Sequence, residues 1–233
     1  MKKETVGIIG AMDEEIELLK NSMVIEKTET VAGMCFFIGT LGGNPVVVVR
    51  CGMGKVNAAI CAQTMILRFG ADKIINTGVA GSLNAKIDIG DIVVSADTVQ
   101  HDVDCTALGY EIGFNPDINT GVFTADPGLR SLAAASAAVA APEIHVFEGR
   151  VASGDQFIAD GAKKQAIVDS FGAMCCEMEG AAIGQVCVLN GIPFVIIRAI
   201  SDKADDSGHV SFREFMEAAA KHSAAIVRHM VAG

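Results

Sequence analysis

The chain has 233 residues, 51% of them apolar, and its 25 glycines lift that share to about 62%. Typical globular chains hold about 45–50% counted the same way, so the composition supports a substantial core and excludes intrinsic disorder. Eighteen Lys and Arg against 28 Asp and Glu give a net charge of −10, which disfavours nucleic acid or an anionic membrane surface as partners.

At the N-terminus, Lys2 and Lys3 precede an apolar run over 6–12 that ends in Asp13-Glu14-Glu15. No small-residue cleavage site follows, so the run reads as a first strand, over 5–9, and not as a secretory signal. Residues 34–41 and the Gly42-Gly43 turn predict an early hairpin. Further β-branched runs at 45–50, 73–77, 91–95, 144–152, 173–177 and 193–200 predict strands. Several are apolar on both faces, as buried central strands are. Helical patterns fill the gaps at 14–21, 55–69, 127–141, 162–170 and 179–190. A last helix is expected from about Ser211, where Ser211 and Glu214 have capping-box spacing. This alternation predicts an α/β fold in three layers, a central, mostly parallel mixed sheet flanked by helices. One domain over 1–233 is expected. Residues 103–120 are the least regular stretch, and a loop that long within a domain is often functional. No apolar stretch reaches the roughly 18 residues of a membrane span. The cysteines (Cys35, Cys51, Cys61, Cys105, Cys175, Cys176 and Cys187) are odd in number and contain no C-x-x-C. They predict reduced thiols and a cytoplasmic protein.

Ligands of such sheets bind beyond the carboxyl ends of strands. Those ends are Gly10-Ala11-Met12, Cys51-Gly52-Met53-Gly54, Asn76-Thr77-Gly78-Val79-Ala80-Gly81, Ser153-Gly154-Asp155, Glu177-Met178-Glu179 and Arg198-Ala199-Ile200-Ser201-Asp202. Any one could be an ordinary turn needing Gly or a cap; six together point to a site. The common nucleotide loops are absent. Around Gly54-Lys55, Val49 and Val56 occupy the positions where a P-loop needs Gly and a hydroxyl. Gly7-Ile8-Ile9-Gly10 lacks the dinucleotide spacing. No metal is expected, since His101-Asp102-Val103-Asp104 alternates across an extended segment and no Cys/His quartet exists.

The carboxylates carry more. Asp13 and Glu14 fit simple helix-dipole stabilisation. Glu177-Met178-Glu179 follows an apolar strand, which brings at least one carboxylate to the sheet edge. Arg198 lies in a strand otherwise apolar on both faces and needs a carboxylate or a bound polar ligand. Arg198, Glu179, Asp202 and Glu15 are therefore candidates to share one pocket, with a structural ion pair as the plainer alternative for Arg198.

At this point the residues resemble a known family. Gly7-Ile8-Ile9-Gly10-Ala11-Met12-Asp13-Glu14-Glu15 is similar to the opening of the 5′-methylthioadenosine/S-adenosylhomocysteine nucleosidases. The likeness continues through Gly52–Ala59, Asn76–Gly81, Gly90–Ser95, Ser153–Ile158, Glu177–Ile183, Arg198–Asp202 and Ser211–Phe215. It implies a nucleoside phosphorylase-like α/β fold, a homodimer, and hydrolysis of an N-glycosidic bond without a cofactor, as in methionine salvage. By this resemblance Asp202 is the general acid for purine N7, placed by Ser201. Glu15 activates the attacking water, with Arg198 nearby. Glu179 holds the ribose hydroxyls beside Met178. Phe157 stacks on adenine and the Ile158 backbone reads its edge. Met12, Met53 and Phe212 line the ribose and thio pocket. Cys105, Leu108, Tyr110 and Pro116 come from the other subunit. Val79 stands where some relatives carry Ser, and Cys105 and Leu108 are smaller than in some members.

The chemistry needs these types. Cleaving a ribosyl–adenine bond builds positive charge on the sugar and negative charge on the base. One carboxyl must protonate the base and another must stay ionised to polarise water, a division of labour that glycosidases share. A substrate without phosphate meets no charge penalty in an acidic pocket. Two enzymatic alternatives are a phosphate-dependent nucleoside phosphorylase, disfavoured by the acidic turn Asp13-Glu14-Glu15, and a related purine riboside hydrolase. A non-catalytic nucleoside sensor has no use for both an acid and a base.

Overall fold

The computed structural model describes residues 3–204 and 208–233, with the backbone alone over 208–211. The last helix begins at Gly208, ahead of the start expected near Ser211, and the Ser211 side chain of the expected capping box lies outside the described residues. The chain order is β1 (Val6–Gly10), α1 (Asp13–Ser22), β2 (Val24–Val31), β3 (Met34–Leu41), β4 (Asn44–Arg50), α2 (Lys55–Phe69), β5 (Lys73–Ser82) and β6 (Ile92–Gln100). Then follow β7 (Val122–Thr124), α3 (Pro127–Ala140), β8 (Val146–Ser153), α4 (Gly161–Phe171), β9 (Cys175–Glu177), α5 (Gly180–Asn190), β10 (Phe194–Asp202) and α6 (Gly208–Ala232).

The strands form one mixed sheet in the order β10-β6-β8-β9-β5-β1-β4-β3-β2, with β7 beside β6. β1 pairs parallel with β4 and β5, β5 with β10, and β8 with β6 and β9. The hairpins and the β10–β6 and β5–β9 joins are antiparallel. Because β10 also pairs with β5, five strands (β5, β9, β8, β6 and β10) close into a ring. That closure was not foreseen from the pattern of runs.

Alternation along β1 shows why the strands read as apolar on both faces. Ile9 packs with α2 and α5, while Ile8 packs with α1, α3 and α6. A third cluster gathers Ile167 of α4 with Val99 and Ala152. Helix α2 stops at Gly70, which takes φ +64 and donates its N–H to carbonyls of the last turn, the left-handed ending that glycine favours.

The structure corrects several boundaries. β5 runs on through Gly78-Val79-Ala80-Gly81, because Gly78 pairs with Arg198 and Gly81 with both Asp202 and Cys176. β6 and β10 are likewise longer than their apolar runs. β2 went unpredicted because it is a charged, mostly exposed edge strand. Its turn to β3 is Ala32-Gly33, both at positive φ, without the Asn or Asp that usually marks such a hairpin. No described helix is long and apolar enough to cross a membrane. None of the seven cysteines is disulfide-bonded.

Candidate active site

A cleft of about 580 Å³ opens at the carboxyl ends of β1, β5, β9 and β10. Its lining includes Met12, Glu15, Met53, Val79, Phe157, Ile158, Glu177, Met178, Glu179, Ser201, Asp202 and Phe212. Ten of the sequence candidates therefore meet in one place. Arg198 lies behind the lining, 2% exposed. Cys105, Leu108, Tyr110 and Pro116 do not line the cleft of their own chain. Leu108 is 74% exposed, and Tyr110 stacks on Phe114 at 5.5 Å.

Glu15 sits at the third position of α1. Its Oε2 accepts from the N–H groups of Ala11 (2.6 Å) and Met12 (3.0 Å), which is a helix-capping role. Its Oε1 reaches across to the N–H of Val79 on β5 (3.1 Å), beyond what a cap requires. Gly78 makes this reach possible: a Cβ there would lie 2.5 Å from Glu15 Oε1 and 3.1 Å from an Arg198 nitrogen. Burial raises the Glu15 pKa, while Arg198 and the three N–H donors pull it part of the way back.

Asp202 ends β10. Its Oδ1 accepts from Ala204 N at 2.8 Å and its Oδ2 from the Ser201 hydroxyl at 2.9 Å. A Cβ on Gly81 would sit 2.7 Å from Oδ1, so the small residues of β5 clear space for both acids. Phe157, 48% exposed, meets Phe212 edge to face at 5.5 Å.

The residue that sequence reasoning passed over is Glu177. Its carboxylate accepts from the N–H groups of Glu179 (3.1 Å) and Gly180 (2.8 Å), and from the Ser153 hydroxyl. Ser153 in turn accepts from Ala181 N at 2.7 Å. Glu177 and Ser153 thus satisfy the orphan amides of α5, whose own N-cap, Glu179, makes no capping bond. Glu179 is released to face the cleft, where its Oε1 accepts from Gly54 N at 2.7 Å. Burial first, then the Glu177 charge, raises its pKa.

Glu177 is also the partner that the Arg198 pattern demanded. The guanidinium donates to Glu177 Oε2 and to Asn76 Oδ1, each at 2.5 Å. Burial opposes the Arg198 charge, but Glu177, Glu15 and Glu179 outweigh it and hold the guanidinium above its ordinary pKa. Breaking one side of a buried pair costs about 3–5 kcal/mol. Glu177→Gln is therefore expected to lower stability by about that amount in urea unfolding. An unchanged midpoint would mean that Glu15 and Glu179 alone compensate Arg198.

The arrangement gives one buried carboxylate held by amides, a second beside a serine hydroxyl, and a third on a helix end, all lining one cleft. A family model described as "Phosphorylase superfamily" matches residues 5–232. A 5′-methylthioadenosine/S-adenosylhomocysteine nucleosidase of Shewanella halifaxensis is 44% identical over 224 residues, covering 95% of this chain and 96% of that protein. The crystal structure of such a nucleosidase from Neisseria meningitidis, in complex with methylthio-immucillin-A, superposes with a TM-score of 0.94. It is 40% identical and covers 98% of this chain and 99% of its own. The native structure of futalosine hydrolase from Helicobacter pylori gives 0.93 at 36% identity, over 98% and 97% of the two chains. The chain therefore belongs to the phosphorylase superfamily and, within it, to the 5′-methylthioadenosine/S-adenosylhomocysteine nucleosidases.

Proposed function

We propose that the chain hydrolyses the N-glycosidic bond of 5′-methylthioadenosine and S-adenosylhomocysteine, releasing adenine and the 5-thio-substituted ribose. The observation that carries this reading is a single cleft lined by Glu15, Glu179 and Asp202 in a chain 44% identical to such a nucleosidase.

In this reading Asp202, oriented by Ser201, protonates purine N7 and makes adenine a neutral leaving group. Glu15 polarises water on the opposite side of the sugar. Arg198 helps to position that water; its Nε has no acceptor among the described residues. Glu179 holds the ribose hydroxyls, and Met178 packs beside the sugar. Buried carboxylates near the ribose stabilise the developing oxocarbenium charge. Phe157 covers the base and the Ile158 backbone reads its edge. Met12, Met53 and Phe212 form a polarisable wall for the thio substituent, and Val79 offers that wall no hydroxyl. The reaction consumes water alone and uses no cofactor.

The active unit is a homodimer of single-domain subunits spanning 1–233. Val56, Ile60 and Leu67 of α2 and Val188 and Leu189 of α5 are exposed, and an apolar face of this kind supports a subunit interface. Cys105, Leu108, Tyr110 and Pro116 then complete the partner's thio pocket. Acidity and reduced thiols support a cytoplasmic location, and the products support a role in methionine salvage.

The test is adenine release from 5′-methylthioadenosine in phosphate-free buffer, run beside S-adenosylhomocysteine and futalosine. Full turnover without phosphate is expected. A strict need for phosphate would make the protein a phosphorylase, and turnover of futalosine alone would make it a different purine riboside hydrolase.

A further inference from the structure

Three loops remote in sequence are joined by a closed circuit beside the cleft. Lys55 N, the first amide of α2, donates to Asp155 Oδ1 at 2.8 Å. Asp155 N donates to Asp102 Oδ2 at 2.9 Å. Asp102 Oδ1 accepts from Lys55 Nζ at 2.5 Å, which closes the ring, and Gln100 Oε1 takes a second bond from that amine at 2.9 Å. The Lys55 and Asp102 side chains are only 17% and 21% exposed. Helix α2 has no acidic residue in its first turn and no side-chain cap of its own, so Asp155 supplies the negative charge its N-terminus favours.

The circuit ends on the site. Gly54, immediately before Lys55, adopts φ +96, which favours glycine. A Cβ there would lie 3.1 Å from Asp155 Oδ1. The Gly54 amide gives Glu179 the one hydrogen bond its carboxylate receives among the described residues.

We propose that Asp102 is a positioning residue for Glu179, acting through Lys55, Asp155 and the Gly54 amide. The proposal rests on the assignment of Glu179 to the ribose. With Asp102 in place, Lys55 and Asp155 are fixed relative to each other, and Gly54 N–H is aimed at Glu179. Both Asp102 oxygens accept. In Asp102→Asn the amide NH₂ must therefore face either the Lys55 ammonium or the Asp155 N–H, and one donor loses its acceptor.

The experiment is a double-mutant cycle read by affinity. The probe is a methylthioadenosine analogue with carbon at purine position 7, which gives the acid nothing to protonate and so binds without turnover. Asp102→Asn should weaken it about tenfold in the wild-type background, within the range of contact couplings. In the Glu179→Ala background, where the Gly54 N–H has no side-chain acceptor at 179, the same change should cost about twofold or less. Lys55→Met must reproduce the pattern from the other side, and adenine, which lacks the sugar, should bind every variant alike. Equal losses in both backgrounds would make Asp102 merely structural and overturn the proposal, as would no loss at all. If Glu179→Ala alone left the analogue's affinity unchanged, Glu179 would not hold the ribose, and the parent assignment would fall with the proposal.

Discussion

Asp202→Asn is expected to lower kcat by about 10²–10⁴-fold, the usual worth of a positioned acid, with little effect on folding. Asn retains an oxygen for the Ala204 N–H, and the Ser201 hydroxyl can turn to accept from the new NH₂. What the proposed mechanism loses is the proton for N7. A riboside whose leaving group departs as a stable anion, such as a nitrophenolate, needs no such proton and should be cleaved by the variant at close to the wild-type rate. Measuring kcat on both substrates, with a melting curve beside them, isolates the step. Near-normal adenine release by Asp202→Asn would remove Asp202 from the mechanism.

Glu15→Gln should be equally severe, about 10²–10⁴-fold in kcat/KM, for a different reason. The carboxylate accepts N–H bonds through both oxygens, from Ala11 and Met12 at one and Val79 at the other. A Gln amide must turn its NH₂ toward one of those donors, so charge and geometry are lost together. The wild-type pH profile supplies a second readout. In the proposed mechanism Glu15 works ionised, and burial holds its pKa above the ordinary 4.5. Activity should therefore fall as pH drops through a value above 4.5. A limb at or below 4.5 would assign the base elsewhere.

The parts of the site legible in the sequence were those with a local signal. Glu179 and Asp202 each follow an apolar run next to Gly180 or Ser201, and Glu15 opens the helix that follows the first apolar strand. Arg198 announced the need for an acid, but not which one. Glu177 was hidden by its neighbour Glu179, since only the backbone path decides which of two adjacent acids turns into the helix end. The circuit through Asp102 joins residues 47 and 53 positions apart, a separation that no local pattern encodes. The fold divides the same way. Buried strands declared themselves by their apolar runs, while the edge strand β2 and the ring closed by β10 depend on pairing across the whole chain.

The separation of duties between Glu177 and Glu179 has an evolutionary consequence. The amides at the start of α5 are satisfied by Glu177 and Ser153, so position 179 carries no obligation to the helix. With Glu179 on the ribose as proposed, lineages that inherit this scaffold can exchange the side chain there and meet a new sugar without first repairing the architecture. Position 177, tied to Arg198 and to the helix at once, has no such latitude. Divergence of substrate should accumulate at the first position and leave the second fixed.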